Sequence, residues 1–331
     1  MARKKPVIIV GTKGYWNVRD IVDREVFSGR FELVYSESFN VSAEIKKRTV
    51  ALVIADQKCG TDLMDSFPNL ATIARTGTGY DNIDIPAARE RNIVVSRVAN
   101  INAEPTSEFA LCLMLALSRN IVRFHGEMLS EKWERKGGLT LSEKTVGIVG
   151  LGAVGRTLAG KLHALHVKRL IGWNRSINAK VLKVVQDYSL EIQSLRDVMS
   201  ESDTIVISLA LTAETAKLID KNLLALMKRD AHLINVARGA IVDEEALAEC
   251  VEEDRIGGVA LDVYSVEPPM AHPFKESFMQ KLIASGKSGK NIILSPHSAF
   301  YTANSVKTTS LHVARNIVAV LDGRPEDAET I

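Results

Sequence analysis

Apolar and polar positions divide the N-terminal part of the chain into short hydrophobic runs separated by stretches with helical composition. The runs are rich in Val, Ile and Leu and show little polar alternation, which is typical of strands covered on both faces. They lie at 6–10, 31–35, 50–54, 70–75 and 93–98. Because stretches such as 42–47 and 85–91 suit crossover helices, the pattern predicts a parallel sheet with helices on both faces.

A second alternation follows a break near residue 100. Helical spacing of apolar residues predicts a helix over 104–123, with Pro105 in its first turn, where a missing N–H has no cost. Strands are predicted at 145–149, 169–173, 204–209, 232–235, 259–262 and 292–294. A last helix, over 302–321, has no sheet of its own, so we expect it to pack on the first domain. The pattern predicts an α/β protein of two doubly wound parallel-sheet domains, 1–100 plus 297–331 and 101–296.

Composition and charge narrow the class of protein. The net charge of the 331 residues is +2, which gives no electrostatic reason to propose nucleic acid or an anionic membrane as a partner. The longest apolar run, 109–117, is too short to span a bilayer. The three cysteines are far apart and form no CxxC pair, which favours a reducing compartment over a disulfide framework. We therefore expect a soluble cytoplasmic protein.

A glycine-rich loop follows the strand predicted at 145–149. The loop residues are Gly150, Gly152, Ala153, Val154 and Gly155, with Leu151 between the first two glycines, and a helix is predicted after them. The first glycine of such a loop permits a tight turn, the second permits close approach of a pyrophosphate, and the third permits close helix–strand packing. An ordinary turn between strand and helix is the alternative. The strand before and the helix after favour a dinucleotide site, with the phosphates at the helix N-terminus.

The end of the next strand bears on cofactor choice. A site for NAD usually has an acidic residue about 20 residues beyond the loop, which accepts a hydrogen bond from the ribose 2′-OH. Asn174 stands there instead, followed by Arg175 and Ser176. These two residues suit a 2′-phosphate by charge and hydrogen bonding. The sequence therefore favours NADP over NAD, with a solvated loop arginine as the alternative.

Three chemically capable side chains follow three further predicted strands. Arg238 lies in NVARG after one strand, Glu267 lies in DVYSVEP after the next, and His297 ends SPH after the last. Because ligands of an open α/β sheet bind beyond the carboxyl ends of its strands, we expect all three at the dinucleotide edge. Each alone has a simpler interpretation, as a surface ion pair, a loop carboxylate or a capping histidine.

The chain resembles the D-isomer-specific 2-hydroxyacid dehydrogenases. The resemblance rests on TGTGYDNID at 76–84, the glycine loop, NVARGAIVDEEAL at 235–247, and the segments 261–268 and 295–297. It implies a flavodoxin-like substrate domain, a Rossmann cofactor domain and an active-site cleft between them. It also implies a homodimer formed through the cofactor domains.

The resemblance also implies roles for individual residues. Arg238 is similar to the family arginine that binds the substrate carboxylate and polarises the reacting oxygen. His297 is similar to the proton donor and acceptor, and Glu267 to its partner. A carboxylate beside an imidazole favours the protonated ring, and a positioned imidazolium can protonate the oxygen of a 2-oxo acid as hydride reaches its carbon.

Three further positions match the family pattern. The backbone amides of Thr78 and Gly79 match the loop that holds the substrate carboxylate, and Asp262 matches the residue that orients the nicotinamide amide. The segment 55–58 corresponds to a loop that approaches the substrate in relatives. It lacks the arginine common in phosphoglycerate-oxidising relatives, for which Lys58 is at best a partial substitute.

The predicted function is therefore an NAD(P)-dependent oxidoreductase of a small 2-oxo or D-2-hydroxy acid, such as glyoxylate or hydroxypyruvate. Two alternatives stay open. One is a 3-phosphoglycerate dehydrogenase, and the other is a non-catalytic, dinucleotide-sensing protein like the corepressors of the family. We expect no metal ion, because the remaining histidines lack ligand partners at motif spacing.

Overall fold

A computed structural model describes residues 4–268 and 271–331. The chain forms two compact units: the described residues up to Asn102 together with Tyr301–Ile331, and the described residues of Ala103–Phe300. Residues 297–300, predicted with the first domain, group with the second unit. The reason is local, because the backbone amides of His297, Ser298 and Ala299 all donate to Asp262. Which unit binds substrate and which binds cofactor stays a prediction.

The first unit is built on a five-stranded sheet whose strand pairs are all parallel. Its strands are β1 (Val7–Val10), β2 (Glu32–Tyr35), β3 (Thr49–Ile54), β4 (Thr72–Arg75) and β5 (Val94–Ser96). Its helices before Asn102 are α1 (Lys13–Asn17), α2 (Arg19–Val22), α3 (Ala43–Arg48), α4 (Thr61–Asp65) and α5 (Ile85–Glu90). The strand order β2-β1-β3-β4-β5 is the flavodoxin-like doubly wound order.

The C-terminal helix, Ala303–Leu321, completes the first unit. Thr302 starts it, because the Thr302 hydroxyl accepts a hydrogen bond from the Ser305 amide at 3.1 Å. Its buried residues Val313, Ala314 and Ile317 belong to the same hydrophobic cluster as Ile8 of β1. The expectation that this helix packs on the first sheet is confirmed.

The second unit contains a seven-stranded sheet, again with parallel pairs throughout. Its strands are β6 (Thr145–Val149), β7 (Arg169–Trp173), β8 (Glu191–Ile192), β9 (Thr204–Ile207), β10 (His232–Asn235), β11 (Gly258–Leu261) and β12 (Ile292–Leu294). Its helices are α6 (Ala103–Ser118), α7 (Ile121–Leu129), α8 (Ala153–Ala164), α9 (Ala179–Tyr188), α10 (Leu195–Glu201), α11 (Lys221–Leu224), α12 (Glu244–Glu252) and α13 (Ser277–Lys287). The order β12-β11-β10-β9-β6-β7-β8 is a Rossmann order extended by one strand.

The register of this sheet aligns the carboxyl ends of its central strands. Val149 pairs with Trp173 on one side and Ile207 on the other. Asn235 pairs with Ile207 and with Leu261, and Leu261 pairs with Leu294. The segments that follow six strands therefore leave the sheet at one edge. Both predicted doubly wound domains are confirmed.

One predicted helix is divided in the structure, and one strand of the structure was not predicted. The helix predicted over 104–123 is two helices, because Asn120 takes a left-handed conformation (φ 53°) that ends α6 and precedes α7. Asn tolerates this conformation better than most residues. The strand β8 was not predicted, since its two residues are exposed at the sheet edge and carry no apolar run.

Candidate active site

The glycine loop joins β6 to helix α8. Gly150 has φ +104°, a backbone conformation that favours glycine. A Cβ at Gly155 would lie 2.1 Å from the carbonyl oxygen of Gly150, so this helix turn packs directly on the loop. A Cβ at Gly152 would meet no atom closer than 3.9 Å, and no side chain caps the helix there. The loop thus has open space beside the amides at the start of α8, where Ala153 and Val154 lie, and it fits a pyrophosphate.

Asn174, which replaces the usual acid, is engaged with the loop itself. Its side-chain oxygen accepts a hydrogen bond from the Leu151 amide at 2.9 Å, and its Nδ2 donates to the carbonyl of Ser176 at 2.7 Å. Arg175 is 62% exposed and forms an ion pair with Glu214. Asn174 therefore contacts the glycine loop directly, and Arg175 has an acidic neighbour that sequence spacing did not reveal.

His297 and Glu267 form a hydrogen-bonded pair in the second unit. The distance from Nδ1 of His297 to Oε2 of Glu267 is 2.6 Å. The other Glu267 oxygen accepts a hydrogen bond from the Tyr264 amide at 2.7 Å. Both side chains are partly buried, with 22% of His297 and 17% of Glu267 exposed. An imidazole oriented by a carboxylate in this way can donate and accept a proton.

The loop that carries His297 is fixed by Asp262. The Asp262 side chain is fully buried and accepts hydrogen bonds from the Ser295 hydroxyl at 2.6 Å and from the amides of Ser298 and Ala299 at 2.9 Å each. His297 itself has φ 51°, and its amide donates to the Asp262 carbonyl at 2.7 Å. A non-glycine residue in the left-handed region is uncommon, and here the hydrogen bonds to Asp262 hold the backbone in this conformation. These contacts place Asp262 as a support of the histidine loop, and its role toward nicotinamide stays a prediction.

Tyr264 joins the loops after β11 and β12. The single proton of its hydroxyl is shared between the carbonyls of Leu261 and Ser295, at 3.1 and 3.0 Å. Burial raises the pKa of Tyr264 above its usual range, so the hydroxyl stays a donor at neutral pH. Sequence reasoning missed this residue. The signal available was its position between Asp262 and Glu267 in the same segment.

Arg238 follows β10 and is half-buried. Its Nη1 donates to the carbonyl of Ala237 at 2.8 Å, while its own carbonyl accepts from Nδ2 of Asn235 at 2.9 Å. The next residue, Gly239, packs on the turn that leads to Glu267, since a Cβ there would lie 2.0 Å from the carbonyl carbon of Tyr264. The backbone that presents Arg238 thus touches the backbone that presents Glu267.

The remaining predicted residues lie in the first unit. Thr78 and Gly79 follow β4, and the Thr78 hydroxyl donates to the carbonyl of Val98 at 3.1 Å. The segment 55–58 follows β3, and Asn82 holds it by donating to the carbonyls of Ala55 and Gln57 at 2.9 and 2.7 Å. Lys58 is exposed. Both segments are loops at carboxyl strand ends, as expected for ligand-binding loops.

Two kinds of site are absent from the described residues, 4–268 and 271–331. No three or more His, Cys, Asp or Glu side chains there form a cluster able to hold a metal ion. None of the helices in that part of the chain has the length and apolar character needed to cross a membrane.

Comparison with known proteins places this geometry in context. The model of the "D-isomer specific 2-hydroxyacid dehydrogenase, NAD binding domain" family matches residues 111–299. A glyoxylate reductase of Thermococcus kodakarensis is 32% identical over 314 residues, which cover 90% of each chain. A D-3-phosphoglycerate dehydrogenase of a Synechocystis species is 37% identical over 265 residues, 80% of this chain and 45% of that longer one. A D-lactate dehydrogenase from Aquifex aeolicus, solved with NAD and lactic acid, shares the fold with a TM-score of 0.85 at 21% identity, over 97% of both chains.

Proposed function

The chain belongs to the D-isomer-specific 2-hydroxyacid dehydrogenase family, and from this premise we propose that it reduces small 2-oxo acids such as glyoxylate or hydroxypyruvate, with NADPH as the preferred cofactor. Membership makes it an NAD(P)-dependent oxidoreductase of 2-hydroxy acids, as the sequence predicted. The observation that carries the proposed reduction of a 2-oxo acid is the 2.6 Å contact between His297 and Glu267, in loops at the sheet edge where the glycine loop also lies.

The residues have separate tasks in the proposed reaction. A nicotinamide dinucleotide held at the glycine loop would supply or accept the hydride. His297 gives a proton to the carbonyl oxygen of the 2-oxo acid, and Glu267 stabilises the imidazolium and fixes its orientation. Arg238 binds the substrate carboxylate in two-pronged geometry and polarises the reacting oxygen. The assignment of the Thr78 and Gly79 amides to carboxylate binding rests on the family resemblance alone.

The preference for NADPH rests on charges at the end of β7. No carboxylate stands at position 174 to repel a 2′-phosphate, and Arg175 is an exposed cation one residue further on. Glu214 pairs with Arg175, but an exposed ion pair contributes only about 0–1 kcal/mol, so a phosphate dianion competes with it effectively. Ser176 adds a hydroxyl that can donate a hydrogen bond to the 2′-phosphate. Asp262, after β11, is assigned instead to the nicotinamide amide, as the family resemblance implies.

The size of the substrate is inferred from the segment 55–58. Its one cationic side chain, Lys58, is exposed. The glyoxylate reductase relative covers nearly the whole chain. These observations favour a small substrate over 3-phosphoglycerate. Because the Synechocystis relative is a D-3-phosphoglycerate dehydrogenase, 3-phosphoglycerate is the second candidate substrate.

We assign the oligomeric state from an exposed apolar surface on the second unit. Its side chains are between 47% and 75% exposed: Ile121, Val122, Met128, Leu129, Trp133 and Leu139. Large exposed apolar side chains concentrated in one stretch of the chain, residues 121–139, are typical of an interaction surface. The occupant we propose is a second copy of the chain, because the family resemblance implies a dimer formed through the cofactor domains. The free thiols of Cys59, Cys112 and Cys250 support a cytoplasmic location for this homodimer.

The test is an absorbance assay of nicotinamide oxidation with glyoxylate, hydroxypyruvate, pyruvate and 3-phosphohydroxypyruvate, each with NADPH and with NADH. We expect the highest kcat/KM for glyoxylate or hydroxypyruvate with NADPH. The double variant Asn174→Asp/Arg175→Ala should shift the NADPH:NADH ratio of kcat/KM toward NADH by about ten- to a hundredfold, since one charge-assisted contact contributes about 1.5–3 kcal/mol. Glu214→Gln, which frees Arg175, should shift the ratio the other way. A wild type that prefers NADH, or a ratio indifferent to these variants, contradicts the cofactor proposal.

A further inference from the structure

We propose that Glu244 is a positioning residue for the proton-transfer pair, acting through the turn of residues 264–267. The inference rests on the proposed role of His297 and Glu267. Glu244 is the first residue of α12 and is 8% exposed. Its Oε1 accepts a hydrogen bond from the Ser265 amide at 3.0 Å, and its Oε2 accepts one from the Ser265 hydroxyl.

Two carboxylates hold two consecutive amides of this turn. Glu244 accepts from the amide of Ser265, while Glu267 accepts from the amide of Tyr264 with one oxygen and contacts His297 with the other. The Tyr264 amide belongs to the Val263–Tyr264 peptide and the Ser265 amide to the following Tyr264–Ser265 peptide, so the two carboxylates hold adjoining peptides. The placement of the Tyr264–Ser265 peptide therefore constrains the turn on which the Glu267 carboxylate is held. Glu244 is the side chain that fixes this peptide from the helix side.

The same peptide also packs against Gly239. An added Cβ there would lie 2.0 Å from the Tyr264 carbonyl carbon and 2.2 Å from the Ser265 nitrogen. The segment from Gly239 to Glu244 thus contacts the Tyr264–Ser265 peptide at two points. Because Arg238 immediately precedes this segment, one stretch of chain influences the placement of both the carboxylate-binding arginine and the partner of His297.

The surroundings of Glu244 show that the hydrogen bonds to Ser265 are its principal compensation for burial. Burial raises its pKa to about 7, and the negative charges of Glu267 and Glu276 act in the same direction, whereas both bonds from Ser265 lower it. A buried carboxyl group in an acidic environment is costly without such partners. Two acidic groups face it: Glu267 from the turn and Glu276 from the start of α13.

The experiment separates placement from charge. Glu244→Gln removes the charge but can still accept from the Ser265 amide and donate to its hydroxyl, whereas Glu244→Leu removes charge and hydrogen bonds together. Glu252→Leu, at an exposed position of the same helix, is the matched control. The readouts are kcat for 2-oxo acid reduction, the Kd of NADPH, the Tm, and the pKa of the His297 ring by NMR of histidine-labelled protein without substrate. The His297 signal is identified by its loss in His297→Gln.

We expect Glu244→Leu to lower kcat about tenfold, and to lower the pKa of His297 by at least roughly half a unit as the carboxylate–imidazole contact loosens. Glu244→Gln should stay close to wild type in both. Equal shifts in the two variants, or no shift in either, would overturn the proposal. If Glu244→Leu does not fold, Ser265→Ala decides, and it should move both readouts in the same direction by a smaller amount. The ring titration needs no turnover, so a wrong substrate assignment leaves it intact as a test.

Discussion

The proposed proton transfer depends on a single side chain, His297, and a substitution at this position tests it directly. His297→Ala should lower kcat for reduction at least roughly a hundredfold, because a positioned general acid contributes about that much or more. The Kd of NADPH should stay near the wild-type value. The matched control is His272→Ala, at an exposed histidine of the same unit, which should keep full turnover. Near-normal turnover in His297→Ala would remove the histidine from the mechanism.

Another histidine, His232, affects stability instead. It is 8% exposed, and burial together with the positive charge of Lys144 lowers its pKa to about 4. The unfolded chain binds a proton near pH 6.5, whereas the folded chain does not until about pH 4, so the His232 contribution is present above pH 6.5 and is lost as pH falls toward 4.

We therefore expect the free energy of unfolding to decline in this window by up to roughly 3 kcal/mol through His232 alone. His232→Leu should flatten that decline in denaturant titrations at pH 4 to 7. Asp203, whose pKa is lowered, loses its contribution only below the ordinary aspartate range. A variant with the same slope as the wild type would assign the decline to other groups.

Residue types and their positions after predicted strands identified several of the proposed site residues, but not the hydrogen bonds and ion pairs that these residues form. Arg238, Glu267 and His297 were found from their positions after strands, and the structure brings Glu267 and His297 together. The hydrogen bond between Asn174 and the Leu151 amide was not predictable, since it depends on the path of the loop rather than on spacing. The pairing of Arg175 with Glu214 joins residues 39 positions apart and has no local signal.

At the scale of elements, the strand–loop–helix unit of β6 and α8 depends on packing that excludes a methyl group. Gly155→Ala should lower the free energy of unfolding by about 1–3 kcal/mol, because its Cβ would overlap the Gly150 carbonyl oxygen. Gly126→Ala in α7 meets no atom within 4 Å and should instead stabilise the protein by roughly 0.5–1 kcal/mol. Thermal unfolding of both variants provides the comparison. A Gly155→Ala variant as stable as the wild type would show that the loop relaxes around the methyl group.

The elements themselves were predictable where buried apolar runs define them. Strands β6, β7, β10 and β12 have the predicted bounds, because each is a run of buried or half-buried residues. The break between α6 and α7 was not predictable from periodicity. It depends on the left-handed conformation of Asn120, which a helical pattern of apolar residues does not register.

At the scale of the whole molecule, the proposed homodimer can be tested through the apolar surface of α7 and the residues after it. Leu129→Glu places a charge on a side chain that is 74% exposed and that we expect to be buried between copies. Light scattering after size exclusion should show a dimer for the wild type and a monomer for the variant, since an unpaired charge at an interface core is costly. Leu182→Glu, on α9 of the same unit and 50% exposed, should stay dimeric. A monomeric wild type would contradict the assignment.

The aligned register of the second sheet has a consequence for how the sequence can change over time. The four-residue strand β10 begins at the buried His232, which pairs with Thr204 and Gly258. It ends at Asn235, just before the segment that carries Arg238. Substitutions at the two ends of one strand are therefore under different selection. In a library grown under thermal stress, variants should be lost first at the amino end, whereas a library selected on a new substrate should accumulate changes in the loops beyond the carboxyl end. The sheet can stay constant while its loops acquire a different specificity.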